Sequence, residues 1–72
     1  MTDFKYEILE RLGVLSQSNT GWTKELNLIS WNDREGRYDI REWSPDRTKM
    51  SKGVSFSDEE IKKLKEFLKG VK

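Results

Sequence analysis

The chain has 72 residues, of which 33% are hydrophobic and 38% are charged, so it is expected to form one small domain with a thin core. It contains no cysteine and no histidine, which excludes disulfides, thiolate catalysis and the commonest transition-metal ligands. Fourteen basic against thirteen acidic residues leave a net charge of +1. The overall charge therefore does not indicate nucleic-acid binding, and such a signal must come from where the charges lie.

The chain also lacks the hallmarks of a membrane or secreted protein. It has no long apolar run, so no transmembrane span is expected. No basic start joined to an apolar stretch follows Met1, so no secretory signal is expected. Residues 1–72 are predicted to be a single cytoplasmic domain without metal, cofactor or small-molecule substrate.

Two strands are predicted in the first half of the chain. In the first strand alternate residues are apolar apart from Glu10: Phe4, Tyr6, Ile8, Leu12 and Val14. A kink is expected near Gly13. A polar turn at residues 16–21 leads into a second strand at residues 22–31. There Leu26 and Leu28 are interpreted as facing the core, which places Glu25, Asn27, Ile29 and Trp31 on the opposite face.

Two further strands follow. Residues 32–36 form a turn in which Gly36 is free to take a positive φ, and the third strand runs over Arg37–Trp43. Pro45 ends it, because proline cannot donate a ladder hydrogen bond. A loop at residues 46–52 carries three cations, and a short fourth strand is predicted at Val54–Phe56.

The clearest local signal is a C-terminal helix. Ser57 with the acids that follow it forms a capping box. One face then carries apolar residues at helical spacing: Ile61, Leu64, Phe67, Leu68 and Val71. Lysines surround this stripe, and Gly70 is expected to end the helix.

The predicted fold class is therefore α+β, a curved four-stranded antiparallel sheet followed by one helix in the order β-β-β-β-α. Such a sheet buries one face only, and the apolar stripe is wide for a helix that touches one small sheet. The helix either lies across its own sheet or is shared with a second copy. Because the core is so small, we expect a homodimer that buries further apolar surface through Ile61, Leu64, Phe67 and Leu68.

Catalysis is not expected. Two carboxylates within reach of each other can perform acid–base chemistry, but the acids of residues 33–46 alternate with arginines. Solvated ion pairs are the simpler interpretation. The sequence has no nucleophile elbow, phosphate-binding glycine loop or zinc spacing.

A single-stranded nucleic acid is a candidate ligand. Trp31, Arg37, Arg41 and Trp43 come from adjacent strands and share the face that the predicted core does not need. Aromatic rings interleaved with cations suit unpaired bases, which stack on the rings while the cations follow the phosphates. Arg34 lies in the turn between these strands, and Lys49 and Lys52 lie in the loop that follows. Lys24 has the same parity as Leu26 and Leu28, but its position near the start of the strand lets it reach past the sheet edge. The alternative is that both tryptophans cap the sheet edges while the arginines pair with Asp39 and Glu42.

Residues 24–68 resemble the positive-cofactor-four (p15) family of transcriptional coactivators, and the bacterial YdbC-like branch in particular. Residues 38–43, Tyr-Asp-Ile-Arg-Glu-Trp, are similar to the family's Asp-Ile-Arg-Glu-aromatic signature. Residues 52–56, Lys-Gly-Val-Ser-Phe, are similar to its Lys-Gly-Ile-Ser-Leu entry to the last strand. Residues 21–28 resemble the YdbC-like branch specifically.

The resemblance implies a homodimer around the helices that binds single-stranded DNA with little sequence preference. Trp31 corresponds to the family's aromatic at the end of the second strand, Arg34 or Arg37 to its basic turn residue, and Arg41 to the signature arginine. Lys49 and Lys52 lie where the family has a basic loop. The family's stacking tryptophan corresponds to Ser44, so either a local bulge lets Trp43 replace it or the stacking is lost.

The predicted function is thus a non-enzymatic, homodimeric, single-stranded DNA-binding protein of transcription, replication or repair, nucleoid-associated if bacterial. RNA is the open competitor, because no residue identifies a reader of the 2′-hydroxyl. A protein-interaction module that uses the same sheet face or an open strand edge is the alternative from another class.

Overall fold

A computed structural model describes residues 5–72 of the chain. They form strands β1 (Tyr6–Gln17), β2 (Thr23–Trp31), β3 (Arg37–Trp43) and β4 (Val54–Phe56), followed by helix α1 (Asp58–Leu68). The strands pair antiparallel in the order β1-β2-β3-β4. The predicted α+β fold is confirmed. Phe4, which was expected to open the first strand, lies outside the described residues.

β1 is interrupted by three β-bulges. Its register with β2 shifts three times, and each shift leaves one leucine without a residue opposite it: Leu9, Leu12 and Leu15. An extra residue bends a strand and increases its twist. The prediction of a kink at Gly13 is confirmed, because one shift lies between Arg11 and Gly13. The regular alternation expected for the whole strand is wrong, because each bulge changes which residues face inward.

The turn between β2 and β3 is a tight reversal. Asn32 and Asp33 have φ values of 51° and 63°, and the Arg34 N–H donates to the Trp31 carbonyl at 3.0 Å. This is the geometry of a type I′ turn, which matches the twist of a hairpin. The expected positive φ at Gly36 is wrong. Gly36 instead gives room, since an added Cβ would lie 2.8 Å from Leu9 Cδ1 and 3.3 Å from Leu28 Cδ1.

The inner face of the sheet is the buried one. It carries the odd-numbered residues of β2 and β3, and five of them are buried: Glu25, Asn27, Ile29, Asp39 and Trp43. Leu26 and Leu28 point to the outer face and are only half-buried. The expectation that these two leucines mark the core face is therefore wrong within the single chain.

The curl of the sheet explains this burial. Tyr6 pairs with Trp31 at one end of β2, whereas Trp43 pairs with Thr23 at the other end. The Tyr6 ring nevertheless lies 5.8 Å from the Trp31 ring and 5.5 Å from the Trp43 ring, centroid to centroid. The ends of the inner face thus bend towards each other and enclose the side chains between them.

Helix α1 starts as predicted but packs little. Ser57 and Glu60 form the capping box, with the Glu60 N–H donating to Ser57 Oγ at 3.2 Å and the Ser57 N–H donating to Glu60 Oε1 at 2.8 Å. The helix ends at Leu68, before Gly70. It contacts β4, yet none of its residues is buried. Its apolar stripe is therefore largely open in the single chain.

Candidate nucleic-acid interface

A cleft of about 600 Å³ lies between the β2–β3 turn and the start of α1. One wall contains Trp31, Arg34 and Arg37, three residues that the sequence predicts to bind nucleic acid. The lining also includes Glu35, which lies between these arginines in the chain, together with Ser55 and the first residues of the helix region, Ser57, Asp58 and Glu59. The cleft thus combines an indole, two exposed guanidinium groups and several carboxylates.

Trp31 is half-buried and supported from below. The Arg41 guanidinium carbon lies 4.5 Å from the centroid of its ring, at cation–π distance. Arg41 is itself fixed by two hydrogen bonds to Asp39, of 2.7 and 2.8 Å. Ser55 Oγ donates a third bond to that carboxylate at 2.8 Å. The indole orientation is therefore set by a buried ion pair, and the charge of Arg41 is already compensated.

The two remaining arginines of the wall are exposed. Arg34 is presented by the type I′ turn, whose backbone is held by a 2.6 Å hydrogen bond from Ser30 Oγ to the Arg34 carbonyl. Arg37 is the first residue of β3 and pairs with Ile29. No ion pair is found for either guanidinium within residues 5–72. Their charges are available to an anion entering the cleft.

Trp43 has a different environment from Trp31. It is only 1% exposed, between the Tyr6 ring and the Arg47 guanidinium, whose carbon lies 5.2 Å from the Trp43 ring centroid. Neither a bulge nor an open groove presents it to solvent in the single chain. The adjacent Ser44 is also buried, and its hydroxyl donates to Asp46.

Arg47 and Glu25 form a hydrogen-bonded ion pair over the inner face, here named the Glu25–Arg47 clasp. The sequence did not predict it. Arg47 has a positive φ of 62° and donates two hydrogen bonds to the Glu25 carboxylate, of 2.8 and 3.1 Å. Glu25 also accepts from Thr23 and Asn27. The Arg47 hydrogen bonds, against the opposing effect of burial, lower the pKa of Glu25 to about 2. In the sequence Arg47 resembles any loop cation, so no local signal identified it.

The other predicted cations lie outside the cleft. Lys24 is exposed on the outer face, where it pairs with Ser16 and Glu42. Lys49 and Lys52 are exposed in the β3–β4 loop, which is tied to β3 by the hydrogen bond from the Ser44 N–H to the Lys49 carbonyl at 3.0 Å. The structure thus brings together Trp31, Arg34 and Arg37, with Arg41 beneath them, and leaves these three lysines peripheral.

The residues predicted to form the dimer lie on one side of α1. Ile61 and Leu64 are half-buried, whereas Phe67 is 71% and Leu68 is 55% exposed.

Residues 5–72 contain no cluster of three acidic side chains arranged to hold a metal ion. No helix in this part of the chain is long and apolar enough to cross a membrane.

Comparison with known proteins identifies the family of the chain. The family model of the transcriptional coactivator p15 (PC4) matches residues 18–67. An uncharacterized protein of the bacterium Treponema pallidum (strain Nichols) is 52% identical over 66 residues, which are 92% of this chain and 78% of that protein. The resemblance inferred from residues 24–68 is confirmed. The chain belongs to the p15 (PC4) transcriptional coactivator family, a family of nucleic-acid-binding domains.

Proposed function

We propose that this protein is a non-enzymatic, single-stranded DNA-binding protein that acts in transcription, replication or repair. The observation that carries the proposal is the cleft in which Trp31 lies beside two exposed arginines that form no ion pair within residues 5–72. Stacking of an unpaired base on an aromatic ring contributes about 1–3 kcal/mol and tolerates any base. Such a site favours single strands, because a duplex hides its base faces.

Each residue of the cleft has a proposed role. Trp31 stacks on a base, and Arg34 and Arg37 contact the flanking phosphates. Arg41 holds the Trp31 ring in place from below, since its own charge is bound to Asp39. Lys49 and Lys52 are proposed as peripheral phosphate contacts, and Lys24 as a contact for a strand that passes the sheet edge. Trp43 is proposed to support the fold rather than to stack.

A second copy of the chain is the proposed partner on the opposite side of the sheet. The outer face is apolar and half-exposed at Leu26, Leu28 and Ile40, and the stripe of α1 adds exposed Phe67 and Leu68. Apolar surface of this extent on so small a chain favours association. The proposed unit is therefore a homodimer of one-domain chains of residues 1–72, located where the DNA is, in the cytoplasm or at the nucleoid.

Tryptophan fluorescence with oligo-dT tests this function. We expect emission to be quenched on adding the single strand and to change little with a matched duplex. Log affinity is expected to fall with log salt by about 0.7 per phosphate contact. Equal affinity for duplex and single strand would contradict stacking, and a nearly flat salt dependence would favour a protein-interaction module.

A Trp31→Phe variant shows whether Trp31 is the tryptophan whose emission is quenched on binding. Phenylalanine keeps an aromatic face but removes the indole emission, so binding followed by the anisotropy of a labelled oligonucleotide should persist while the quench is lost. A parallel titration with oligo-U compares RNA with DNA. Tighter binding of oligo-U than of oligo-dT would make RNA the preferred ligand.

A further inference from the structure

Positive charge is concentrated at the C-terminal end of the chain. Residues 61–72 contain five lysines and one glutamate, a net charge of +4. Residues 1–60 contain nine basic and twelve acidic residues, a net charge of −3. The small overall charge therefore conceals a strongly cationic C-terminal segment, residues 61–72, which neither the sheet nor the cleft accounts for.

Three of these lysines form one row, which we name the lysine face: Lys62, Lys65 and Lys69. Residues three and four apart are neighbours on a helix surface. Lys62 and Lys65 lie within α1, and Lys69, its C-cap, keeps helical dihedral angles of −61° and −25°. At about 1.5 Å of rise per residue, the lysine face extends over about 10 Å. All three side chains are exposed.

The charge of the lysine face is largely uncompensated. Lys69 Nζ lies 3.2 Å from Glu66 Oε2, but both side chains are about 70% exposed, and such a pair contributes little. No ion pair is found for Lys62 or Lys65 within residues 5–72. Three ammonium groups in a row thus face solvent.

The lysine face starts where the cleft ends. Asp58 and Glu59 line the cleft, and Lys62 lies one helical turn beyond Asp58. The apolar stripe through Ile61, Leu64 and Leu68 borders the lysine face only at Lys65, which lies four residues after Ile61 and three before Leu68. A second copy covering that stripe would leave Lys62 and Lys69 open.

We propose that the lysine face binds the phosphate backbone of the single strand that occupies the cleft and so extends the binding site along α1. This inference rests on the function proposed above. Lysine acts as a flexible point charge suited to phosphates. The surface contributes affinity and salt dependence without base preference, because phosphate contacts carry no sequence information.

The test is the salt dependence of a triple variant, Lys62→Gln, Lys65→Gln and Lys69→Gln. Glutamine is a good helix former, and thermal melts should be unchanged because the lysines are exposed. With a long oligo-dT the slope of log affinity against log salt should become shallower by about 2, at about 0.7 per lost contact. The quench at saturation should stay the same, because Trp31 is untouched.

Single substitutions supply a matched control on the same helix. Lys65→Gln should reduce the salt slope by about 0.7, whereas Lys63→Gln, which removes the same charge outside the row, should leave it unchanged. An oligo-dT too short to leave the cleft should bind wild type and triple variant with the same slope.

The outcomes separate this inference from the proposed function. A wild-type protein that binds oligo-dT with the same slope as the triple variant overturns the lysine face alone. A wild-type protein that binds no single strand overturns both proposals. Lysine-dependent binding to anionic phospholipid vesicles, with an unchanged slope on oligo-dT, would show that the lysine face serves a membrane surface and overturn the inference.

Discussion

The two inner-face tryptophans have different environments because of where the curled sheet places them. Trp31 and Trp43 both point to the inner face, yet Trp31 lines the open cleft and Trp43 is sealed beneath Arg47. Arg41 and Arg47 both stack on tryptophans and both pair with a buried carboxylate. The exposure of a side chain on the inner face therefore depends on its position along the curl as well as on its direction.

We expect Trp31→Ala to weaken single-strand binding by about 1–3 kcal/mol and to leave the chain folded. The half-buried ring leaves the inner core around Ile29 intact. Titration with oligo-dT measures the loss, and a thermal melt measures the stability. If the variant binds like wild type and melts much lower, Trp31 is a packing residue and the cleft is not the binding site.

Trp43→Ala is expected to destabilise the fold by about 3–5 kcal/mol, the usual range for removing a buried aromatic ring. That is a large part of the stability of a chain this small. Trp43→Phe is the control, since it keeps a ring in place and Trp43 Nε1 has no acceptor within residues 5–72. A Trp43→Ala variant that melts like wild type but loses binding would make Trp43 a stacking residue.

The Glu25–Arg47 clasp predicts acid sensitivity. The pKa of Glu25 is lowered from 4.5 to about 2, so its ionised form stabilises the folded state, by about 3 kcal/mol on the pKa difference. This stability is present above pH about 4.5 and is lost as pH falls towards 2. Carboxyl carbon NMR of Glu25 across that range measures the pKa directly.

Arg47→Gln checks the cause. It should raise the pKa of Glu25, because it removes the two guanidinium hydrogen bonds. Asp46→Asn should not, although the pKa of Asp46 is also lowered to about 2, by hydrogen bonds from the Thr48 N–H and the Ser44 hydroxyl. An unchanged Glu25 pKa in Arg47→Gln would contradict the clasp.

At the scale of elements, the bulges of β1 curl the sheet, and Ser57 caps the start of the helix. Three bulges within twelve residues let β1 twist across β2, which brings Tyr6 to both inner tryptophans. β4 can approach β3 because residue 53 is glycine. An added Cβ there would lie 2.5 Å from the Ile40 carbonyl oxygen.

Because α1 packs so little, its cap matters more than usual. We expect Ser57→Ala to destabilise the helix by about 1 kcal/mol, since it leaves the Glu60 N–H without its side-chain acceptor. Circular dichroism at 222 nm measures the helix content. Ser57→Asp, which keeps an acceptor at the N-cap, is the control and should melt close to wild type; equal helix content in all three proteins would contradict the prediction.

At the scale of the whole molecule, the curl separates two surfaces of different chemistry. The inner face encloses charges and aromatic rings, and its rim forms the cleft. The outer face and the stripe of α1 remain apolar and open in the single chain. A single copy has too little covering structure for both faces of its sheet, which is the physical reason for the proposed homodimer.

Phe67→Asp tests the homodimer and should not destabilise the fold of one chain, because Phe67 is 71% exposed there. A charge placed in an apolar contact without a partner is costly, so a folded monomer is expected by sedimentation. Lys63→Asp, which places an aspartate on the same helix but outside the apolar stripe, should remain dimeric. Leu64→Asp should give a monomer or an unfolded chain.

Loss of the dimer should also weaken DNA binding, because two linked sites raise each other's effective concentration. A Phe67→Asp protein that stays dimeric would place the interface elsewhere on the chain. A monomer that binds oligo-dT as tightly as wild type would show that one cleft is sufficient.

The sequence by itself determined the order of elements, the capping box of α1 and the signature at residues 38–43, because each depends on residues close together in the chain. It also placed Trp31, Arg34 and Arg37 close together, because they lie in and beside the turn that joins two consecutive antiparallel strands. Only the tertiary structure decided which face of the sheet is buried. Period-two patterning assigns residues to two faces, but the curl depends on bulges and on contacts between distant residues such as Tyr6 and Trp43. For the same reason the Glu25–Arg47 clasp, which spans 22 residues, was visible only in the folded chain.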